Sequence, residues 1–145
     1  MKKKNTAIIF LLLPLIVLLT SCAGNPVVWD DSYPESMMST VSFNYMTVTS
    51  YNGIGVEKWK TVKIPEGSTN IGADVNIYRG GLVFQATGME FSYDFEAGKE
   101  YRIMGAAENM KWGVKIYNGL NTSGMKADQD FIAFIAFKNQ PTFSK

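Results

Sequence analysis

Met89-Glu90-Phe91-Ser92-Tyr93-Asp94-Phe95-Glu96 alternates four large apolar side chains with four polar ones. Successive side chains of a strand point to opposite faces, so this period of two predicts a strand with one face buried. A slip of one residue would turn Phe91, Tyr93 and Phe95 to water, so the pattern sets its own register.

Similar signals spread outward from it. Downstream, Ala97-Gly98-Lys99 turns the chain into a strand over residues 101–106, and Trp112, Val114 and Ile116 share the face of another. Upstream, Leu82 to Ala86 reads as a strand joined through Gly80-Gly81 to a third alternation, Ile71, Ala73, Val75 and Ile77, forming a hairpin. Pro65-Glu66-Gly67 and Tyr51-Asn52-Gly53 are turns. They bound a strand over 58–64 and a first strand over 40–49, where Val41, Phe43, Tyr45 and Thr47 alternate with Ser42, Asn44, Met46 and Val48. Past a loop at 118–130 rich in Gly, Asn, Ser and Asp, residues 131–137 are apolar on both faces, as suits a central strand covered on each side. Lys138 to Lys145 is predicted to be a loose tail. No segment after Cys22 repeats with a period of 3.6. About eight short strands at turn-marked spacing predict an all-β fold, an antiparallel β-sandwich, with a small β-barrel as the alternative.

The N-terminus has a different character. Lys2, Lys3 and Lys4 precede an apolar run at 7–19, and Thr20 and Ser21 precede Cys22, the layout of an export signal. The run is short of the roughly 20 apolar residues of a transmembrane helix and contains Pro14. Leu19-Thr20-Ser21-Cys22 resembles the lipobox of bacterial lipoproteins. That resemblance implies recognition of Leu19, Thr20 and Ser21 by lipoprotein signal peptidase, cleavage after Ser21, and lipid (diacylglyceryl, palmitate-type chains) on Cys22. Ala23 rather than Asp after the cysteine implies, by the same analogy, the outer membrane. The expected organisation is a signal peptide at 1–21, a lipid-anchored tether at 22–39, a sandwich domain at 40–138 and a tail at 139–145.

Removing residues 1–21 leaves 124, the size of one domain, with 11 basic and 13 acidic side chains. That balance gives no general pull toward nucleic acid or anionic lipid, and no nucleic-acid partner is expected. Cys22 is the only cysteine, so no intramolecular disulfide forms. The chain has no histidine, which removes Ser-His and Cys-His pairs, imidazole general bases and imidazole metal ligands together.

Tyr51-Asn52-Gly53-Ile54, Val62-Lys63-Ile64-Pro65-Glu66-Gly67 and the run Phe91 through Phe95-Glu96-Ala97-Gly98-Lys99-Glu100-Tyr101 resemble small bacterial lipoproteins of the PEGA-like, transthyretin-like sandwich type. The likeness spans residues 40–103 and rests on turn glycines and core aromatics. The stretch after Asn109 departs from it. It implies a non-catalytic envelope module and carries no active site.

Glu90, Asp94 and Glu96 share a strand face, where i, i+2 neighbours such as Asp94 and Glu96 stand about 6.5–7 Å apart, near the spacing of inverting-glycosidase carboxylates, but the solvated polar face that every half-buried antiparallel strand has is the simpler account. Asn121, Ser123, Asp128 and Asp130 offer oxygens to calcium without the order of an EF-hand loop. Met37, Met38, Met46, Met89, Met104, Met110 and Met125 are soft copper ligands by chemistry, yet their scatter points to core packing. Trp112 is expected in the core, and Trp59, between Lys58 and Lys60, on the surface as a partner-binding residue. The expectation is therefore a lipid-anchored, non-enzymatic envelope protein without metal or cofactor. It attaches to the membrane through Cys22 and binds or spaces an envelope protein or glycan. The alternative is a small-ligand carrier with its cavity inside a barrel.

Overall fold

The computed structural model describes residues 27–28, 30–57, 60–79, 81–120 and 130–141. Ten strands lie in this part of the chain: β1 (Val27–Val28), β2 (Met38–Asn44), β3 (Met46–Tyr51), β4 (Ile54–Gly55), β5 (Thr61–Pro65), β6 (Gly67–Arg79), β7 (Leu82–Phe95), β8 (Glu100–Glu108), β9 (Lys111–Asn118) and β10 (Phe131–Ala136). One sheet has the order β1-β5-β2-β8-β9-β10 and the other β4-β3-β6-β7, and the two are not closed into a barrel. The fold is an all-β sandwich, as the alternation predicts. Two pairings in the larger sheet, β1 with β5 and β2 with β8, are parallel.

The expected first strand is two strands in different sheets. Val41 and Phe43 are buried from β2, Met46 and Val48 from β3, and Tyr45 between them is 55% exposed at φ 58°. Both pairs face the same core from opposite walls, so the apolar phase shifts by one where the chain changes sheet. The Tyr45 carbonyl accepts a hydrogen bond from the Asn76 N–H at 2.9 Å, tying this arch to β6. Gly105 allows the close fit beneath it. A Cβ there would lie 3.3 Å from the Tyr45 carbonyl oxygen and deep inside van der Waals contact with Val75 Cγ1.

The strands expected at 82–86 and 89–95 are one strand. A bulge, where Ala73 pairs with Met89 but Val75 with Ala86, absorbs the change of phase, and the Gly88 N–H bonds Asp74 Oδ1 at 2.9 Å. The core includes Val41, Val62, Ile64, Ile71, Val75, Phe91, Phe95, Ile103, Val114 and Ile116, each at most 2% exposed. At one end Tyr93, Phe95 and Tyr101 form an edge-to-face triad with centroids 5.0–5.5 Å apart, and the Tyr101 hydroxyl accepts the Glu96 N–H at 3.2 Å. Such ring pairs add about 0.5–1.5 kcal/mol each beyond the area they bury.

Three further expectations are corrected. Residues 131–137 do not form a central strand: among the described residues β10 is the last strand of its sheet, paired with β9 alone. Its second apolar face is explained by rings laid over the outside of the sheet. Phe131 packs edge-on against Tyr117 at 5.8 Å, and Phe134 lies over Gly113. The segment after Phe137 is not loose as far as it is described. Lys138 N–H bonds the Glu90 carbonyl at 2.8 Å, Asn139 bonds the Gly88 carbonyl and the Glu90 N–H, and Gln140 bonds both the N–H and carbonyl of Trp112. The expected tether is also shorter than 22–39, because β1 and a 3-10 turn at Glu35–Met37 already lie against the sandwich, the latter through a Glu35–Lys63 ion pair and the Glu66 N–H on the Met37 carbonyl.

Two measurements test this packing. Gly105→Ala should destabilise by about 1–3 kcal/mol through overpacking, and a second change, Val75→Ala, should recover part of the loss because the clash is with a side chain. Gly113→Ala should not be recovered by Phe134→Ala, because the backbone oxygen of Ile135 also blocks it. Urea midpoints of the four variants decide the point. Burial, then the neighbouring Tyr101, pushes the Tyr93 phenol up from its ordinary 10.0, and burial does the same to Tyr51. A raised phenol holds its proton longer when folded, so its stabilisation is complete below about pH 10 and is lost as pH rises through the folded value. Melting temperature should fall more steeply above pH 10 in the native protein than in the Tyr93→Phe, Tyr51→Phe double variant.

Candidate binding surface

The Tyr45 arch is flanked by two open grooves. One, of about 950 Å³, is lined by Tyr45, Asn76, Ile77, Met104, Asn109 and Lys115 among others. The second, of about 630 Å³, is lined by Ser42, Asn44, Thr47, Lys60, Thr61 and, again, Tyr45 and Asn76. Register places several of the lining side chains. Met104 and Lys115 are cross-strand partners on the outer face of β8 and β9, while Asn44 pairs with Met104 from β2. Asn109 and Met110 form the β8–β9 turn with φ of 49° and 62°, the pair of positive angles that a two-residue hairpin turn uses. Lys115 is 3.5 Å from Glu108 and 5.8 Å from the Phe131 ring centroid.

An aromatic ridge flanked by amides, hydroxyls and lysines suits a ligand with both apolar faces and many hydroxyls. Tyr45 supplies a ring, Asn44, Asn76 and Asn109 supply paired donors and acceptors, and Lys60 is exposed. The other arrangement hidden from sequence is Arg102. It alternates outward, opposite Tyr101 and Ile103, yet is 1% exposed, with its guanidinium carbon 4.8 Å from the centroid of its cross-strand partner Tyr117. A charged residue at an outward position reads as solvated, and the ring that covers it comes from a neighbouring strand.

Of the sequence-derived site residues, Lys60 lines a groove, whereas Lys58 and Trp59 lie outside the described residues, as do Leu19, Thr20, Ser21 and Cys22. Trp112 is in the core at 5% exposure, 6.5 Å from the Phe84 ring. Glu90 and Asp94 are exposed on the outer face of β7, opposite Gly72 and Ser68, and Glu96 lies past the end of the strand. Glu90 is drawn into a polar network in which its carboxylate accepts from the Asn70 amide, whose oxygen in turn accepts from Ser92 and Lys138. Among the described residues no group of three or more Asp, Glu, His or Cys is placed to hold a metal. Asn121, Ser123 and Asp128 are outside them, and the exposed Asp130 accepts the Asn118 N–H on its carbonyl at 2.7 Å. Met38, Met46 and Met89 pack inside, but Met37 is 39% and Met110 98% exposed, so core packing does not account for every methionine.

The Gln140 clasp closes the sandwich beside this surface. Gln140→Ala removes both side-chain bonds to Trp112, one accepted from its buried N–H at 2.8 Å. The expected cost is about 1–3 kcal/mol, with faster amide exchange at Trp112 and Glu90, read by urea melts and hydrogen exchange. No protein-family model matches the chain, and neither a curated protein nor a solved structure matches it.

Proposed function

We propose that the protein is a lipid-anchored lipoprotein of the bacterial envelope, held in the outer membrane through Cys22, whose sandwich is a non-catalytic module that binds an envelope glycan across the Tyr45 grooves. The anchor reading is carried by Leu19-Thr20-Ser21-Cys22 standing directly after a basic and apolar leader. The binding reading is carried by one observation: a half-exposed tyrosine between two grooves edged by Asn44, Asn76 and Asn109. The PEGA-like resemblance agrees with a module of this type.

The carrier alternative is disfavoured by the filled interior, where Phe91, Phe95 and six or more β-branched side chains are fully buried between the sheets. The grooves lie outside that core. The anchor is tested by the intact mass of the protein from envelope fractions, which should show residues 22–145 plus acyl chains, and an unmodified chain after Cys22→Ala. Co-sedimentation with insoluble peptidoglycan sacculi tests binding. The native protein should pellet with them and Tyr45→Ala should lose most of that binding. Equal sedimentation of the two forms would reject the grooves, and absence of binding with a single cross-linked protein partner in intact cells would replace the glycan by that protein.

A further inference from the structure

Tyr-Asn-Gly followed by a branched aliphatic residue occurs twice in the chain, as Tyr51-Asn52-Gly53-Ile54 and as Tyr117-Asn118-Gly119-Leu120. In an Asn-Gly pair the backbone nitrogen approaches the preceding side-chain carbonyl with least obstruction, because glycine has no Cβ. We infer that the fold separates these near-identical segments: Asn52 is a self-modifying site that loses its side-chain amide to give aspartate and isoaspartate, while Asn118 is held back from the same reaction.

The reaction needs only water. The Gly53 nitrogen gives up its proton to hydroxide and attacks Cγ of Asn52; the bond from Cγ to Nδ2 breaks, and Nδ2 takes a proton and leaves as ammonia, which closes a succinimide ring across residues 52 and 53. Water then adds to one of the two ring carbonyls and the bond from that carbon to nitrogen breaks, the nitrogen recovering its proton. Opening at Cγ leaves aspartate. Opening at the main-chain carbonyl leaves isoaspartate, in which the chain runs on through Cγ. One water is consumed and one ammonia released, with no change of oxidation state.

The two sites differ at both reacting atoms. Asn52 and Gly53 are exposed in the β3–β4 turn at φ 48° and 80°, and among the described residues the Gly53 N–H donates no hydrogen bond, so attack by its nitrogen breaks none. The Asn70 N–H donates to Asn52 Oδ1 at 2.8 Å, and the Asn52 N–H to the Asn70 carbonyl at 2.7 Å. Asn70 thus fixes a donor on the oxygen that gathers negative charge as Cγ is attacked, the arrangement that lowers the barrier to acyl transfer. Asn118 is equally exposed, but its nucleophile is engaged: the Gly119 N–H donates to the Glu100 carbonyl at 2.8 Å, and the Asn118 N–H to the Asp130 carbonyl at 2.7 Å. Among the described residues no donor polarises the Asn118 side-chain carbonyl. The two products at residue 52 also differ in consequence. Aspartate keeps an oxygen for the Asn70 N–H. Isoaspartate adds a carbon to the backbone between Tyr51 and Ile54, the register partners that join β3 to β4, and so loosens β4 and Val56, whose N–H bonds the Thr49 carbonyl at 3.1 Å and whose side chain packs on the core.

The test ages the full chain in mildly alkaline buffer, folded and in concentrated urea, and follows residues 52 and 118 by peptide mapping that resolves asparagine, aspartate and isoaspartate. In the folded protein Asn52 should convert at least about tenfold faster than Asn118, and in urea, where neither set of hydrogen bonds survives, the two should convert at similar rates. Equal rates in the folded protein, or Asn118 ahead of Asn52, would overturn the inference. The same preference for Asn52 in urea would assign it to the local sequence instead of the fold and overturn it too. In folded protein rich in isoaspartate at 52, hydrogen exchange at the Ile54 and Val56 amides should be faster than before ageing; unchanged exchange there would overturn the loosening of β4.

Discussion

The structure depends on the reversal at Tyr45. One residue at φ 58° carries the chain from the middle of the six-stranded sheet into the four-stranded one. A left-handed conformation at a residue with a Cβ costs on the order of 1–3 kcal/mol, so something must offset it. The offset is visible on both sides of the arch: Val41 and Phe43 before it and Met46 and Val48 after it are all buried in the shared core. A tyrosine that continued β2 in extended form would place Met46 and Val48 on the solvent side. The fit of Gly105 under Val75 and the Asn76–Tyr45 hydrogen bond then fix how closely the two sheets approach.

Alternation made most of this fold legible in the sequence, and the places where it misled share one cause. Period two reports that a residue faces in or out but not which sheet it faces from, so 40–49 reads as one strand although its apolar positions change parity at Tyr45. The same change of parity between Ala86 and Met89 is a bulge within one strand, and at Tyr45 it is a change of sheet. Nothing in the alternation itself separates the two cases, because what decides is which strand pairs on each side of the shift: β6 on both sides at Ala86 and Met89, but β8 before Tyr45 and β6 after it. Residues 131–137 mislead for a related reason. Apolar side chains on both faces need cover on both faces, and rings such as Phe131 on Tyr117 provide it without a further layer of structure. The tail was illegible because Asn139 and Gln140 act through side-chain amides on the backbone of β7 and β9, which no hydrophobic pattern records.

The candidate site was less legible than the fold. Lys60 stands out in the sequence as a flank of Trp59, but Tyr45, Asn76 and Asn109 come from three separate strands and turns and look individually like punctuation. What unites them is the arch: an aromatic side chain is exposed at the same point where the backbone leaves one sheet for the other. The surface signal was present at 109–110, where Asn-Met replaces the more usual Asn-Gly and sets a methionine at φ 62°. That position gives up backbone comfort for a side chain presented almost wholly to solvent.

Net charge shows why placement matters more than composition for such a protein. With 11 basic and 13 acidic side chains after residue 21, no overall field draws the chain to an anionic surface. Folding sorts those charges, however, because the acidic turns at Glu66 and Glu96 and the acidic starts of β8 and β10 all fall at one end of the strands.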